Sequence, residues 1–305
     1  MEGDLTDYRV FDTLPLRLPE TNASPLFPAE KGSRFMTMQT VIGRFFLFFS
    51  LLLLPTPLLT AQEAPPKQGP TAEAILKAAH KRMYGIKDQT SQVTFRIVDT
   101  DGTEKKTIFR LYWKNYAGQE NLHSKTLLVT ESPVSDKGIK FLLWERAQEN
   151  QADLWLYLPE LRQVRRLQPG RHKHDNEPDS DLLFEDMHQR PVEWDAHQLL
   201  PESEVRGEPC YVVESKLKDH HLYGKKILHL SKNEGTLRKV DYFSDDGTLL
   251  KTQWIDWQQV DKSYVWKGSQ VVNAESSRKT FVEVSDVKIN IGLQDDQFSE
   301  RALRR

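Results

Sequence analysis

The chain has 305 residues, 38% of them hydrophobic and 28% charged, with a formal net charge of −2 and a single cysteine. These values exclude a disordered or collagen-like chain and a disulfide-stapled miniprotein. With Cys210 as the one thiol, there is neither an intrachain disulfide nor a cysteine-based zinc or redox pair. The near balance of charges also argues against a protein that wraps nucleic acid, which needs a basic excess to release counterions.

Residues 1–35 carry six acids and four bases and lack the basic stretch that opens an export signal. They are expected to be an upstream extension without a fold of its own, the start being Met36 or Met38. Residues 36–61 hold one charge, Arg44, then an apolar run from Phe45 to Leu54, two prolines, and small residues ending at Ala61. This is the pattern of a signal peptide cleaved near Ala61. The competing reading is an uncleaved anchor, but the uncharged run from Phe45 to Ala61 is 17 residues long and is interrupted by Pro55 and Pro57. The expected product is exported to the periplasm, and no cysteine stands at the cleavage point to take a lipid anchor.

After a proline-rich leader over residues 62–70, residues 71–305 read as one domain. Thr71 is placed to cap a helix running to about Tyr84, with Ile75, Leu76, Ala79 and Met83 on one face and Gly85 as the stop. From Gln89 the pattern changes to short stretches of period two. They fall at 92–98, 107–113, 125–130, 139–144, 153–158 and 162–167, then at 210–215, 225–230, 237–243, 249–257, 263–268, 269–273 and 279–290. Asp101-Gly102 and Asp246-Gly247 stand between such runs, where a tight hairpin needs positive φ. The expectation is a mainly antiparallel, meandering sheet of about ten to twelve strands. Residues 168–200 interrupt it with little alternation, and LLFEDM (182–187) reads as a short helix in a long loop of the kind that forms lids. The tail, residues 295–305, is expected to end in a helical turn with Phe298 and Leu303 on the sheet.

A sheet of this size twists and must close on itself or wrap around something. In DLWLYL (153–158) the leucines take one face and Trp155 and Tyr157 the other, so both faces are apolar and each needs a cover. A sandwich core or a packed helix would provide one; so would a lipid in an apolar cavity.

Arg162, Arg165 and Arg166, followed by Arg171 and Lys173, form a basic run, and Asp175, Glu177, Asp179, Asp181, Glu185 and Asp186 an acidic one. Guanidinium groups pair bidentately with phosphate or carboxylate, so the three strand arginines are candidates for a rim that meets a lipid headgroup or an acidic partner. The alternative is salt bridging between the two runs on a solvated surface. His172-Lys173-His174-Asp175 and His220-His221 lack the helical spacing of a zinc site, and no metal or cofactor is expected. There is no HExxH, GxSxG, P-loop or dinucleotide turn, and Cys210 at a strand start reads as a buried structural thiol. The residues nominate no catalytic pair.

The segments SPVSDKGIKFL (132–142), WLYLPELRQVRRL (155–167), DSDLLFEDM (179–187), KVDYFSDDGTLLKT (239–252) and DQFSERALRR (296–305) resemble, in order and near spacing, the outer-membrane lipoprotein-sorting family related to the periplasmic carrier LolA. The likeness spans Ala72 to Arg305. Residues 179–187 depart from the family pattern: Asp179 stands for a glycine, Leu182 for a phenylalanine and Phe184 for a tyrosine. The resemblance implies an α+β fold, an incomplete, half-open β-barrel with a helical lid, around a hydrophobic cavity that receives acyl chains. It implies a non-enzymatic carrier of lipid or lipoprotein acyl chains, with an inner-membrane transporter as donor and an outer-membrane acceptor as partners. An envelope interaction module that binds a transporter without carrying lipid is the alternative. Trp113, Trp144, Leu154, Trp155, Leu156, Tyr157 and Trp254 are the candidates for contact with cargo. Exposing a chain of about 16 carbons to water, at about 0.8 kcal/mol per CH₂, costs on the order of 10 kcal/mol, which is why lipid transit needs a cavity.

Overall fold

Alternating apolar residues need a partner strand and a covered face, and here they assemble into one antiparallel sheet. The computed structural model describes residues 69–147, 152–167, 180–187, 190–218 and 222–305. The expected extension, the signal peptide, most of the leader, His172–Asp175 and His220-His221 lie outside the described residues. Helix α1 (Ala72–Met83) precedes β1 (Asp88–Val98), β2 (Glu104–Asn115), β3 (Leu122–Ser132), β4 (Lys140–Arg146), β5 (Ala152–Leu158) and β6 (Gln163–Leu167). The short helix α2 (Phe184–Met187) is followed by β7 (Asp195–Val205), β8 (Glu208–Leu217), β9 (Lys225–Ser231), β10 (Leu237–Phe243), β11 (Leu249–Val260), β12 (Ser263–Asn273) and β13 (Lys279–Ile289).

The 13 strands run in the order β6-β5-β4-β3-β2-β1-β13-β12-β11-β10-β9-β8-β7. The last strand pairs with the first, Val93 opposite Val284 and Phe95 opposite Val282. The sheet therefore does not close, and its edges are β6 and β7. The architecture is an incomplete antiparallel barrel with helical cover, as expected, with one strand more than the upper expectation. That strand is β7, whose sequence DAHQLLPESEV is largely exposed and carries Pro201 at a register shift between Leu200 and Ser203. An edge strand tolerates proline and needs no apolar face, so it leaves no period-two signal. Residues 263–268 and 269–273, read as two segments, form the single strand β12. Gly268 lies within it because a Cβ there would sit 2.7 Å from the Val282 carbonyl oxygen.

The hairpin loops behave as their chemistry requires. At Asp99–Thr103 and Ser244–Thr248 only the glycines, Gly102 (φ 84°) and Gly247 (φ 86°), take the left-handed conformation. These are three-residue loops in which a type I turn ends in a left-handed residue. Thr71 caps α1 by accepting from the Ala74 N–H at 3.2 Å. The helix buries Ala72, Ile75 and Ala79 against Val213 and Leu230, with Leu76 and Met83 at the margin.

The outer face of β2–β6 is covered by the C-terminal segment. Phe298 and Leu303 are fully buried there with Leu142, Trp155 and Leu293, and Tyr112, Leu127, Trp144, Tyr157 and Val164 pack around them. The buried Asp88 carboxylate fixes where the segment leaves β13, accepting from the N–H groups of Ile291, Gly292 and Leu293 at 2.7, 3.0 and 3.2 Å. Trp144 Nε1 donates to the Phe298 carbonyl at 2.9 Å, and Asp295 takes Lys114 Nζ at 2.7 Å and the Tyr116 hydroxyl at 2.6 Å. Cys210 is fully buried, and desolvation pushes its thiol above the usual range, as befits a packing residue.

Truncating Phe298 to alanine is expected to cost about 3–5 kcal/mol in urea unfolding. It should also red-shift tryptophan emission as Trp144 and Trp155 gain water; an unchanged midpoint would show that the segment is not part of the core.

Candidate functional site

Opposite the C-terminal segment, the inward side chains of the sheet surround a partly enclosed hollow of about 170 Å³. Its wall draws on β1 (Gln89, Ser91, Val93, Phe95), β2 (Leu111, Trp113), β3 (Thr126, Leu128) and β4 (Phe141, Leu143, Glu145). Trp257 of β11, Val265 and Trp266 of β12, and Val282 and Val284 of β13 complete the strand contribution. Met83, Tyr84 and Ile86 close the end beside α1, and Met187 of α2 contributes from the lid. Register explains the grouping, since Gln89 faces Trp113, Trp113 faces Thr126 and Thr126 faces Leu143. A wall reaching from β4 to β11 requires the sheet to curve strongly, which its size and twist provide.

The size sets a limit. A 150 Å³ apolar cavity is about what benzene fills, so the hollow in this form admits a ring or a short chain segment, and a long acyl chain requires it to widen.

The lid segment, residues 180–187, is held by charge as well as by packing. Leu182 is fully buried in a cluster with Val93, Phe95, Phe109, Leu128, Val271, Val282 and Val284. Asp181 accepts from Arg278 Nε at 2.8 Å and from Asn273 Nδ2 at 2.8 Å. Asp186 is ion-paired with Lys251, both buried, and accepts the Tyr223 hydroxyl at 2.9 Å and the Leu183 N–H at 2.8 Å. Lys251 Nζ also donates to the Asp181 carbonyl oxygen at 2.6 Å. Burial, and then the Asp186 charge, push the Tyr223 and Tyr242 phenols well above their ordinary values, so both stay protonated.

The structure sorts the sequence candidates. Trp113 lines the hollow. Leu154 is buried behind Leu143 and Met187, and Leu156, opposite Phe141, shares its face. Trp144, Trp155 and Tyr157 turn the other way, under the C-terminal segment, so their expected contact with cargo is corrected: they belong to the outer core. Trp254 is likewise on the opposite side from the hollow, and it is Trp257, with Nε1 donating to the Leu237 carbonyl at 2.7 Å, that reaches the wall. Sequence reasoning missed Phe95, Phe141, Trp257 and Trp266. The first two were legible as inward neighbours of Val93 and Leu143 by period two.

The charge candidates are separated too. Arg166 pairs with Asp153, which Arg146 also binds, and its guanidinium lies 5.6 Å from the centre of the Trp155 ring. Arg162, in the β5–β6 turn, and Arg165 are exposed. The described acids Asp181 and Asp186 pair with Arg278 and Lys251, and Arg171, Lys173, Asp175, Glu177 and Asp179 lie outside the described residues. Among the described residues there is no cluster of His, Cys, Asp and Glu able to hold a metal, and no helix is long and apolar enough to cross a membrane.

An open antiparallel half-barrel with helical cover is a LolA-like fold. Three solved structures share it with this chain, each over 77% of its length. A DUF1329 family protein from Desulfovibrio piger is 24% identical, with a TM-score of 0.69 over 100% of that chain. A candidate outer membrane lipoprotein-sorting protein domain from Vibrio parahaemolyticus is 23% identical, with a TM-score of 0.68 over 98% of that chain. A LolA superfamily protein from Nitrosomonas europaea is 21% identical, with a TM-score of 0.60 over 100% of that chain. At these identities the likeness is one of fold. No curated protein matches the chain. The family model described as "Uncharacterized protein" matches residues 123–305, more than half of the sequence, and the chain belongs to that family.

Substituting Lys251 with methionine strands the buried Asp186 carboxylate and is expected to destabilise the protein by about 3–5 kcal/mol in urea. Adding Asp186→Asn should recover part of that loss. A single variant as stable as wild type would show that the pair does not anchor the lid.

Proposed function

We propose that the protein is an exported, non-enzymatic carrier that takes lipid or the acyl chains of lipoproteins into the hollow and delivers them toward the outer membrane. The observation that carries this reading is that, while the outer side of β2–β6 is covered by the C-terminal segment, an apolar space remains on the inner side of the sheet. Tryptophan and phenylalanine side chains converge on it, while the outer face is sealed by Phe298 and Leu303. The similarity of fold to a candidate lipoprotein-sorting domain and to a LolA superfamily protein supports the same class. Loading needs the hollow to widen, and the lid segment, which contributes Met187 to its lining, is the element whose movement would widen it. In this reading Arg162 and Arg165 lie on a rim for a headgroup or an acidic partner. Val134, 89% exposed, and Leu161, 54% exposed, sit on the neighbouring β3–β4 and β5–β6 turns. The donor would be an inner-membrane transporter and the receiver an outer-membrane acceptor, with the carrier working in the periplasm.

Protein purified from an envelope fraction without detergent is expected to release acyl species on organic extraction, detectable by mass spectrometry. Leu111→Trp, which fills the hollow from its β2 wall, should reduce their yield severalfold while leaving circular dichroism unchanged. Absence of acyl species, together with no uptake of added lipid, would remove the carrier reading in favour of an interaction module.

A second test concerns the rim. Arg162→Ala with Arg165→Ala should weaken binding to anionic vesicles or to an acceptor severalfold and steepen no unfolding curve; unchanged affinity would remove the rim.

A further inference from the structure

The apolar inner face continues past the hollow. Strand register carries two rows of side chains out of its wall and across to the edge strand β6. In one row Leu111 faces Leu128, Leu128 faces Phe141, Phe141 faces Leu156 and Leu156 faces Arg165. In the other, Trp113, Thr126, Leu143 and Leu154 lead in the same way to Leu167. The members of both rows on β2, β3 and β4 line the hollow, and those on β5 and β6 lie beyond it. Met187, which lines the hollow, also packs on Leu143 and Leu154, so this lane leaves the hollow beside the lid.

Burial falls along the lane. Leu143 and Leu154 are 8% and 3% exposed, Leu156 is half-buried, and Leu167 is 36% exposed. The inner positions of β5 and β6 are Leu154, Leu156, Leu158, Gln163, Arg165 and Leu167, with no acid among them. Arg165 is the charge at the open end. Its neighbour Arg166 bonds Asp153 and lies over Trp155 on the outer face, so alternation along the extended strand turns Arg165 to the inner one. Arg165 is exposed, and among the described residues no ion pair or hydrogen bond engages it. A guanidinium at the end of an apolar lane offers a phosphate its fork of donors where a lipid chain would end.

The span suits a lipid tail. Four inter-strand spacings separate β2 from β6, about 19 Å along the sheet. A lipid chain covers about 15 Å, half of the roughly 30 Å hydrocarbon core of a bilayer. The hollow of about 170 Å³ admits only the end of such a chain, and the lane has room for the rest. We propose that cargo lies across the strands, its tail end in the hollow, its chain on Phe141 and Leu156, and an anionic phosphate head held by Arg165 at the β6 edge. This rests on the carrier reading and names the class of lipid and its orientation. An exposed arginine–phosphate pair is modest in strength and screened by salt, so the head biases selection while the chain supplies most of the affinity.

The test titrates decyl phosphate, decanol and decylamine, each below its micelle concentration, into the full-length protein by calorimetry at neutral pH. At low salt the phosphate should bind about fivefold tighter than the alcohol and the amine weaker than both, with the spread shrinking at high salt. Arg165→Gln should remove the phosphate's advantage and leave decanol unchanged, whereas Arg166→Gln, on the outer face, should leave the ranking intact. Leu156→Ser should weaken all three severalfold. Inorganic phosphate should not displace decyl phosphate. Equal binding of phosphate and alcohol, an Arg165→Gln or Leu156→Ser variant that binds as wild type, or displacement by inorganic phosphate would overturn this inference; decanol bound by the wild-type protein would still leave the carrier reading in place. Failure of all three amphiphiles to bind would overturn both.

Discussion

The pairing of β13 with β1 determines the rest of the molecule. Joining the two strands, Val93 to Val284 and Phe95 to Val282, places the two chain halves side by side and makes β6 and β7, neighbours in sequence, the two far edges of one sheet. The chain that links them must therefore cross from edge to edge. Residues 180–187 of that link lie on the inner side of the sheet, with Leu182 in the central cluster. The same pairing releases the C-terminal segment near the middle of the sheet, beside Asp88, from where it covers the outer side of β2–β6. Both covers follow from one strand contact.

The lid shows how buried charge is used here. Bringing Asp186 and Lys251 out of water costs several kcal/mol per ion, and their attraction offsets this only because the surrounding bonds are complete. Tyr223, the Leu183 N–H and the Asp181 carbonyl supply those bonds. A purely apolar lid could slide over an apolar wall with little penalty. A lid whose carboxylates must meet Lys251 and Arg278 has one seat, and the ion pairs give register to a segment with only one short helix.

Much of the fold was legible because period two survives wherever one face is buried and the other is not. It failed at particular strands for physical reasons. β7 is a polar edge strand containing Pro201 and gave no signal. In β4 and β5 both faces are apolar, since each is covered, so alternation could not say which side held the hollow, and Trp144, Trp155 and Tyr157 were placed on the wrong one. In β11 the inner face carries Lys251 and Gln253 besides Ile255 and Trp257, because Lys251 meets Asp186 and Gln253 bridges Tyr242 and Ser269. The polar residues on that face hide it from a period-two reading, and Trp257, not Trp254, lies on it. The cationic partners of Asp186 and Asp181, Lys251 and Arg278, lie 65 and 97 residues along the chain, beyond any local pattern.

The small hollow and the proposed cargo are reconciled by competition for one surface. Leu182, Leu183 and Met187 occupy apolar ground between the lid and the sheet. Fully burying three such side chains is worth about 5–9 kcal/mol, the same order as the roughly 10 kcal/mol gained by sheltering a 16-carbon chain. A guest that displaces the lid thus gains only the difference, less the ion pairs it disturbs. On the carrier reading, the lid would shield the aromatic wall from water when no guest is bound, and the near balance would keep a bound chain from being held too tightly to leave. A carrier with an always-open hollow would bind more strongly and would release less readily. On the same reading, a lid latched by Asp181 and Asp186 would make two-way exchange compatible with an oily site.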